Sequence, residues 1–309
     1  MAGNNEDNTR LNLAHTQGSI YADDAILEGD QYVKYQRIKL VFGPDGTSYG
    51  DVDYELPLPV LPSSHMYSKG NIFGHETLRK YGSLNTLPTT ERFIEGGVTT
   101  EVTPYLPTAA VTVEAISTDA NDTAAGTGAQ QITIEGLDES FNRASETITM
   151  AGLSASTATT TTFIRVFRAY IPAGSVGTYA GNNIGSITIR TSGAGTRFIS
   201  ILAGRGQSQS AHYCVPAGMK YFIKDINITT ESAKSTTIYL WRLEGSNDVT
   251  TPFAAKRIHH EYQGLAGASA FNYTPEIYIP AYTDIWASGF VTAATGAASV
   301  EFNGILETV

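Results

Sequence analysis

The sequence predicts an all-β protein: an antiparallel, jelly-roll-like β-sandwich preceded by a long extended N-terminal arm. Three observations carry this. Beyond about Val98, apolar and polar residues alternate in short runs, as in Val111/Val113/Ala115, Ile132/Ile134, Ile187/Ile189, Ile199/Ile201, Ile277/Ile279 and Val300/Phe302. Period-two alternation buries one face of a strand and wets the other. Gly and Pro punctuate these runs (30 and 12 of 309 residues), the pattern of a sandwich or barrel. Before Gly96-Gly97, by contrast, neither a helical nor a strand period persists.

Residues 1–97 are therefore read as the arm. Within it a short hairpin is expected near 37–56. The run Arg37–Phe42 (RIKLVF) meets the turn Gly43-Pro44-Asp45-Gly46, and a second strand follows from Thr47 to Leu56. Pro presets φ in that turn, Asp suits the next position and Gly takes the left-handed one. Pro57, Pro59 and Pro62 then block helix and central strand alike, leaving an extended segment similar to polyproline II. A short helix is expected around His75 to Tyr81.

Residues 98–309 are read as the sandwich, with a division into two sub-sandwiches near 203–210. Strands are expected at Val98–Thr103, Val111–Ile116, Gln131–Gly136, Ser145–Met150, Thr162–Ile171, Ser186–Arg190 and Arg197–Leu202. The second half adds Ala211–Val215, Tyr221–Thr229, Thr236–Leu243, Ala255–Tyr262, Glu276–Ile279, Asp284–Val291 and Ser299–Leu306.

Hydrophobic residues make up 41% of the chain, enough for a packed core, and only 16% are charged, against roughly 25% in typical soluble domains. Thr, Ser, Gly and Ala fill the difference and give an uncharged polar surface. The net charge is −10 and no run of Lys or Arg exceeds two residues, so the basic face of a nucleic-acid binder is not expected. Cys214 is the single cysteine, which excludes an intrachain disulfide and a cysteine zinc cluster. The start, MAGNNEDNTR, lacks the pattern of a secretory signal, and no apolar run reaches the ~20 residues that span a bilayer. The expectation is synthesis in a cytoplasm and no membrane partner.

The stretch Asn121–Gly136, NDTAAGTGAQQITIEG, sets a glycine-rich loop before a strand. A dinucleotide site needs the opposite order, strand, glycine loop and helix, so that phosphate meets a helix N-terminus. The loop is read as a mobile turn feeding a strand whose Ile132 and Ile134 point inward. Asp51, Asp53 and Glu55 would share one strand face and could meet a cation, though the spacing of a calcium-binding loop is absent. A wet face, or one pairing with a partner's Lys and Arg, is the plainer reading. Cys214 and His212 would share a strand face, yet nothing in the sequence orients the imidazole, so a buried structural thiol is expected. There is no HExxH and no GxSxG. No catalytic residue, cofactor or metal is assigned. Seventeen Tyr and two Trp could line a sugar-binding surface or simply pack on sheets.

NDTAAGTGAQQITIEGLDESFNRASETITMAG, with the Gly136-Leu137-Asp138 turn, resembles a module of virion structural proteins of tailed bacteriophages. TFIRVFRAYI, GNNIGSITI, GQSQSAHYCVPAG and PEIYIPAYTDI follow in that style over about residues 110–309, and YVKYQRIKLVFGPDGT resembles openings of similar proteins. The resemblance implies a non-enzymatic particle component, in particular a capsid decoration or cement protein on the virion surface. The implied partners are the major capsid protein and other copies of itself, a trimer for example. In that reading the arm clamps neighbouring capsid subunits, with Leu56, Leu58, Val60 and Leu61 as anchors held straight by the flanking prolines. The alternative is a tail fibre, adsorption or head-fibre protein that binds host surface glycans.

Overall fold

The computed structural model describes the backbone of Tyr21–Glu28 and Gln31–Ile38, and residues 74–97 and 100–309 throughout. The chain divides into two compact units, Met1–His65 and Met66–Val309. In the first, β1 (Tyr21–Glu28) and β2 (Gln31–Ile38) pair antiparallel, with Glu28 opposite Gln31. The two residues between them are Gly29-Asp30, a two-residue hairpin signal that sequence reading passed over. Of the hairpin expected near 37–56, Arg37 and Ile38 close β2, and the rest lies outside the described residues.

The described residues of the second unit form fifteen strands. They are β3 (His75–Leu87), β4 (Arg92–Phe93), β5 (Val113–Ser117), β6 (Gln131–Leu137), β7 (Arg143–Thr149), β8 (Arg165–Tyr170), β9 (Ile187–Thr191), β10 (Arg197–Ile201) and β11 (His212–Cys214). They continue with β12 (Met219–Thr230), β13 (Thr236–Leu243), β14 (Arg257–Leu265), β15 (Ala268–Ile279), β16 (Asp284–Val291) and β17 (Gly296–Thr308). No helix occurs among the described residues. The protein is all-β, and among the described residues every strand pairing is antiparallel.

Four sheets pack in pairs. The sheet β15-β12-β17-β3 faces β11-β16-β13-β14, to which β4 adds beside β16. Between them lies a core that includes Tyr221, Ile223, Ile226, Ile228, Ile238, Leu240, Ile285, Val300 and Phe302. The sheet β7-β6-β8 faces β10-β9-β5 across a second core of Val113, Ile132, Ile134, Phe163, Ile187, Ile189, Ile199 and Ile201. Full burial of each such side chain contributes about 1.5–3 kcal/mol before the entropy of ordering is subtracted. Strand β16 is buried almost throughout because Ile285, Ala287 and Val291 enter the first core while Trp286 on its other face packs on Phe93.

Two expectations are corrected here. The segment His75–Tyr81 is strand, not helix: it opens the thirteen-residue β3, which pairs along β17. Its inward positions are Leu78, Lys80, Gly82 and Leu84, and the middle two hide the period because neither is apolar. A Cβ on Gly82 would lie 2.2 Å from the Ala211 amide nitrogen, so the strand needs Gly there to approach β11. The arm therefore does not extend to residue 97: β3 and β4 belong to the folded second unit. In addition, residues 100–103, the described part of the strand expected at Val98–Thr103, are not strand.

Candidate functional site

The densest polar arrangement lies on the face of β16 that carries Trp286. Cys214 pairs opposite Asp284, and His212 opposite Trp286, so the register of β11 sets imidazole, thiol and carboxylate on one face. Strand β8 delivers Arg165 to the same place. Arg165 Nε donates to Asp284 Oδ1 (2.9 Å) and Oδ2 (3.0 Å), and its Nη2 lies 2.9 Å from Oδ2. His212 Nε2 sits 2.8 Å from Oδ1, and Ser246 Oγ donates to Oδ2 at 2.6 Å. Arg165 Nη1 donates to the carbonyls of Pro107 and Ile164. Arg165, His212 and Asp284 are each at most 2% exposed.

Burial pushes the Asp284 carboxyl up, but Arg165 and His212 outweigh it and hold the group well below the usual carboxylate range. Burial lowers His212, and the charges of Arg165 and Lys80 lower it further against the pull of Asp284. His212 is accordingly neutral and donates its Nε2–H to an ionised Asp284. Burial raises the Cys214 thiol well above its ordinary value, and the Asp284 charge adds to this; a thiol held protonated is a poor nucleophile.

Sequence reading paired Cys214 with His212 and found nothing to orient the imidazole; the orienting group is Asp284, seventy-two residues away. Even so, Ser246 and His212 both address Asp284 instead of each other, so no nucleophile–base pair forms. The arrangement is a polar seam tying β8 to β11 and β16.

Lys80 and Glu95 extend such ties. The register of β6 on β8 shifts between Glu135 and Gly136, which leaves Phe167 as a bulge residue. Lys80 Nζ, from β3, donates to the Phe167 carbonyl and lies 5.5 Å from the Phe167 ring centroid. Burial, reinforced by the charge of Arg168, lowers Lys80 to about 7. Opposite the bulge, a Cβ on Gly136 would fall 1.9 Å from the Arg165 carbonyl oxygen, so Gly136, which lies within β6 and not in a turn, is fixed by a close approach. Glu95 is fully buried. It accepts from Arg197 Nη1 (2.5 Å), the Ser200 amide (2.9 Å) and the Gly97 amide (3.1 Å), while burial raises its carboxyl.

The glycine loop is clamped by hydrogen bonds to Asp122. Asp122 is fully buried. It accepts from the amides of Ala129 (2.8 Å), Ile184 (2.9 Å) and Gly185 (2.8 Å) and from Ser117 Oγ (2.6 Å). A Cβ on Gly128 would lie 2.2 Å from Asp122 Oδ1, and one on Gly177 would lie 1.9 Å from the Gly126 carbonyl oxygen. These glycines let two loops close around one carboxylate, so the amides of Ala129, Ile184 and Gly185 are directed at Asp122.

A cleft of about 550 Å³ is lined by residues including Glu101, Tyr105, Arg197, Phe198, Lys256 and Trp286. Trp286 is fully buried and Phe198 3% exposed, so neither offers an open ring face. Leu56, Leu58, Val60 and Leu61, and likewise Asp51, Asp53 and Glu55, lie outside the described residues. No group of three or more His, Cys, Asp or Glu side chains is placed to hold a metal among the described residues. No helix there is long and apolar enough to cross a membrane, which says nothing of a β-barrel.

No family model matches the chain, and no curated protein does. Among solved structures, T=1 particles derived from infectious bursal virus match with 10% identity over 76% of this chain and 74% of theirs, at a TM-score of 0.19. T=1 particles of a mutant VP2 protein of infectious bursal disease virus match with 9% identity over 81% of this chain and 84% of theirs, at 0.16. Likenesses this slight carry no argument about this chain.

Proposed function

We propose that the protein is a non-enzymatic virion structural component, a capsid decoration or cement protein of a tailed bacteriophage. The observation that carries this reading is the use made of the buried polar groups. Asp284, Arg165, His212, Asp122 and Glu95 all face internal partners and tie sheets and loops together, which suits a building block. The order of segments resembling phage virion proteins over about residues 110–309 adds the particular setting.

In this reading the segment before β3 is the clamp, with Leu56, Leu58, Val60 and Leu61 as anchors on the major capsid protein. Many weak contacts along one chain combine into avidity. The protein sits on the capsid surface after assembly in the host cytoplasm. The glycan-binding alternative keeps the exposed Tyr81, Tyr179 and Tyr278, but neither Trp supports it: Trp286 is packed away and Trp241 Nε1 is engaged by Ser288 and Glu91.

The test is the location and copy number of the protein in imaged virions. Hundreds of copies on the head support the reading; about a dozen copies on the tail overturn it in favour of adsorption.

A further inference from the structure

We propose that the inner face of β13 and β14, where it meets β15, binds a small oxyanion of the phosphate type through Arg242, His259 and His260. The proposal goes beyond the virion reading and stands without it.

A β-bulge assembles the site. Strand β14 pairs with β13 as His260 opposite Leu240, Ile258 opposite Trp241 and Arg257 opposite Arg242, so His259 is the extra residue. Neighbours in a regular strand point to opposite faces, and an extra residue re-aims them. The His259 and His260 rings accordingly lie only 4.7 Å apart at their centroids. Leu240 enters the first core; Arg242, two residues on, shares its face, and so does Arg257 opposite. His260 also packs on Tyr262 and on Tyr273 of β15, while Arg242 Nη1 donates to the Tyr278 carbonyl of β15 (3.3 Å).

Positive charge and hydrogen-bond donors are left over there. Arg242 and Arg257 each place Nη2 2.6 Å from the same Glu244 Oε1, so two guanidiniums meet one carboxylate. Arg242 Nε, His259 Nε2 and His260 Nδ1 are buried and have no hydrogen-bond partner among the described residues. Buried Arg165 shows the contrast, with Nε, Nη1 and Nη2 all given acceptors. An arginine Nε always carries its proton, and a neutral imidazole can carry one on either nitrogen. Burial, then His260, Arg242 and Arg257, lower His259 to about 4 against the pull of Glu244, and burial lowers His260. Both rings are thus neutral N–H donors at neutral pH. A metal dication would meet the same excess of positive charge, whereas an anion relieves it. An oxyanion with several acceptor oxygens suits three converging nitrogens. The Arg257 side chain, 63% exposed, leaves the site open to solvent.

Calorimetric titration of the full chain with inorganic phosphate at neutral pH and fixed ionic strength tests this. The expected result is saturable binding with a dissociation constant of about 1 mM or tighter, weakened roughly tenfold or more in Arg242→Gln by the loss of a charge-assisted bond. Arg257→Gln alters an exposed side chain, should weaken binding in the same direction, and keeps the test open if Arg242→Gln does not fold; circular dichroism checks both. Glycerol 3-phosphate, titrated in parallel, separates the sources: binding of both marks the end group of a larger molecule, and binding of phosphate alone marks the free ion. The groups acting on His259 are His260, Arg242, Arg257 and Glu244. A bound anion opposes the two arginines, so the His259 resonance should titrate at higher pH with phosphate than without. No saturable binding up to roughly 10 mM phosphate, beyond the weak end of specific affinities, overturns the proposal. So does binding that neither folded variant weakens, or a His259 titration that phosphate leaves unmoved.

Discussion

Arg165 on β8 and Asp284 on β16 form a fully buried, two-pronged ion pair across 119 residues of sequence. It joins strands from different sheets, and its remaining lone pairs are filled by His212 and Ser246. Removing one partner leaves the other charged in a place without water. Asp284→Asn should therefore lower unfolding stability by about 3–5 kcal/mol, read as a shift of the urea midpoint. Replacing both, Arg165→Met with Asp284→Leu, should cost less than the two single changes added together; simple additivity would mean that the pair does not act as a unit.

The same groups set the acid limit of the fold. Asp284 titrates below its unfolded value, so its contribution is present above about pH 4 and is lost as pH falls through the folded value. His212 is also lowered, so the unfolded chain binds a proton first and stability falls as pH drops below about 6.5. Wild type should lose stability from pH 6.5 downward, and His212→Gln should flatten the upper part of that decline. An unchanged profile in the variant would contradict the neutral assignment of His212.

Lys80 gives a slope at the other end. Its folded value is about 7 against about 10.4 unfolded, so between those limits the unfolded chain holds the extra proton. Stability should rise with pH from about 7 to about 10, and Lys80→Met should abolish the rise. The variant should also be less stable above pH 10, by about 1–3 kcal/mol, because the Phe167 carbonyl at the bulge loses its donor. Thermal melts across this range decide it.

The Asp122 clamp predicts that the glycine loop is protected. Amides of Ala129, Ile184 and Gly185 should exchange slowly with deuterium, and Asp122→Ala should speed all three while costing about 1–3 kcal/mol or more. Gly128→Ala should act in the same direction, since its Cβ would sit 2.2 Å from Asp122 Oδ1. Fast exchange at those amides in the wild type would restore the picture of a mobile turn.

Truncation separates the arm from the body. Deleting residues 1–73 should leave a chain that melts cooperatively, whereas deleting 1–95 removes β3 and β4 and strips one edge of β17. The longer deletion should yield aggregating protein. A soluble, cooperatively melting 96–309 chain would show that β3 is dispensable.

The strands β6, β9, β10, β12, β13, β16 and β17 were legible in the sequence because each alternates apolar and polar residues or forms a short apolar run between turns. That is a local property, fixed by the two-residue repeat of a strand. The all-β class and the buried character of Cys214 follow from the same local chemistry. What the sequence could not carry was every feature whose partner lies far along the chain. Strand β3 escaped because Lys80 and Gly82 occupy its inward positions, and only the bulge carbonyl of Phe167 and the nearby Ala211 explain them. Asp284, Arg165, Glu95 and Asp122 look like ordinary surface residues when read in line. Tertiary structure alone decided that they are buried, because a charge can leave water only where distant segments converge to supply its partners.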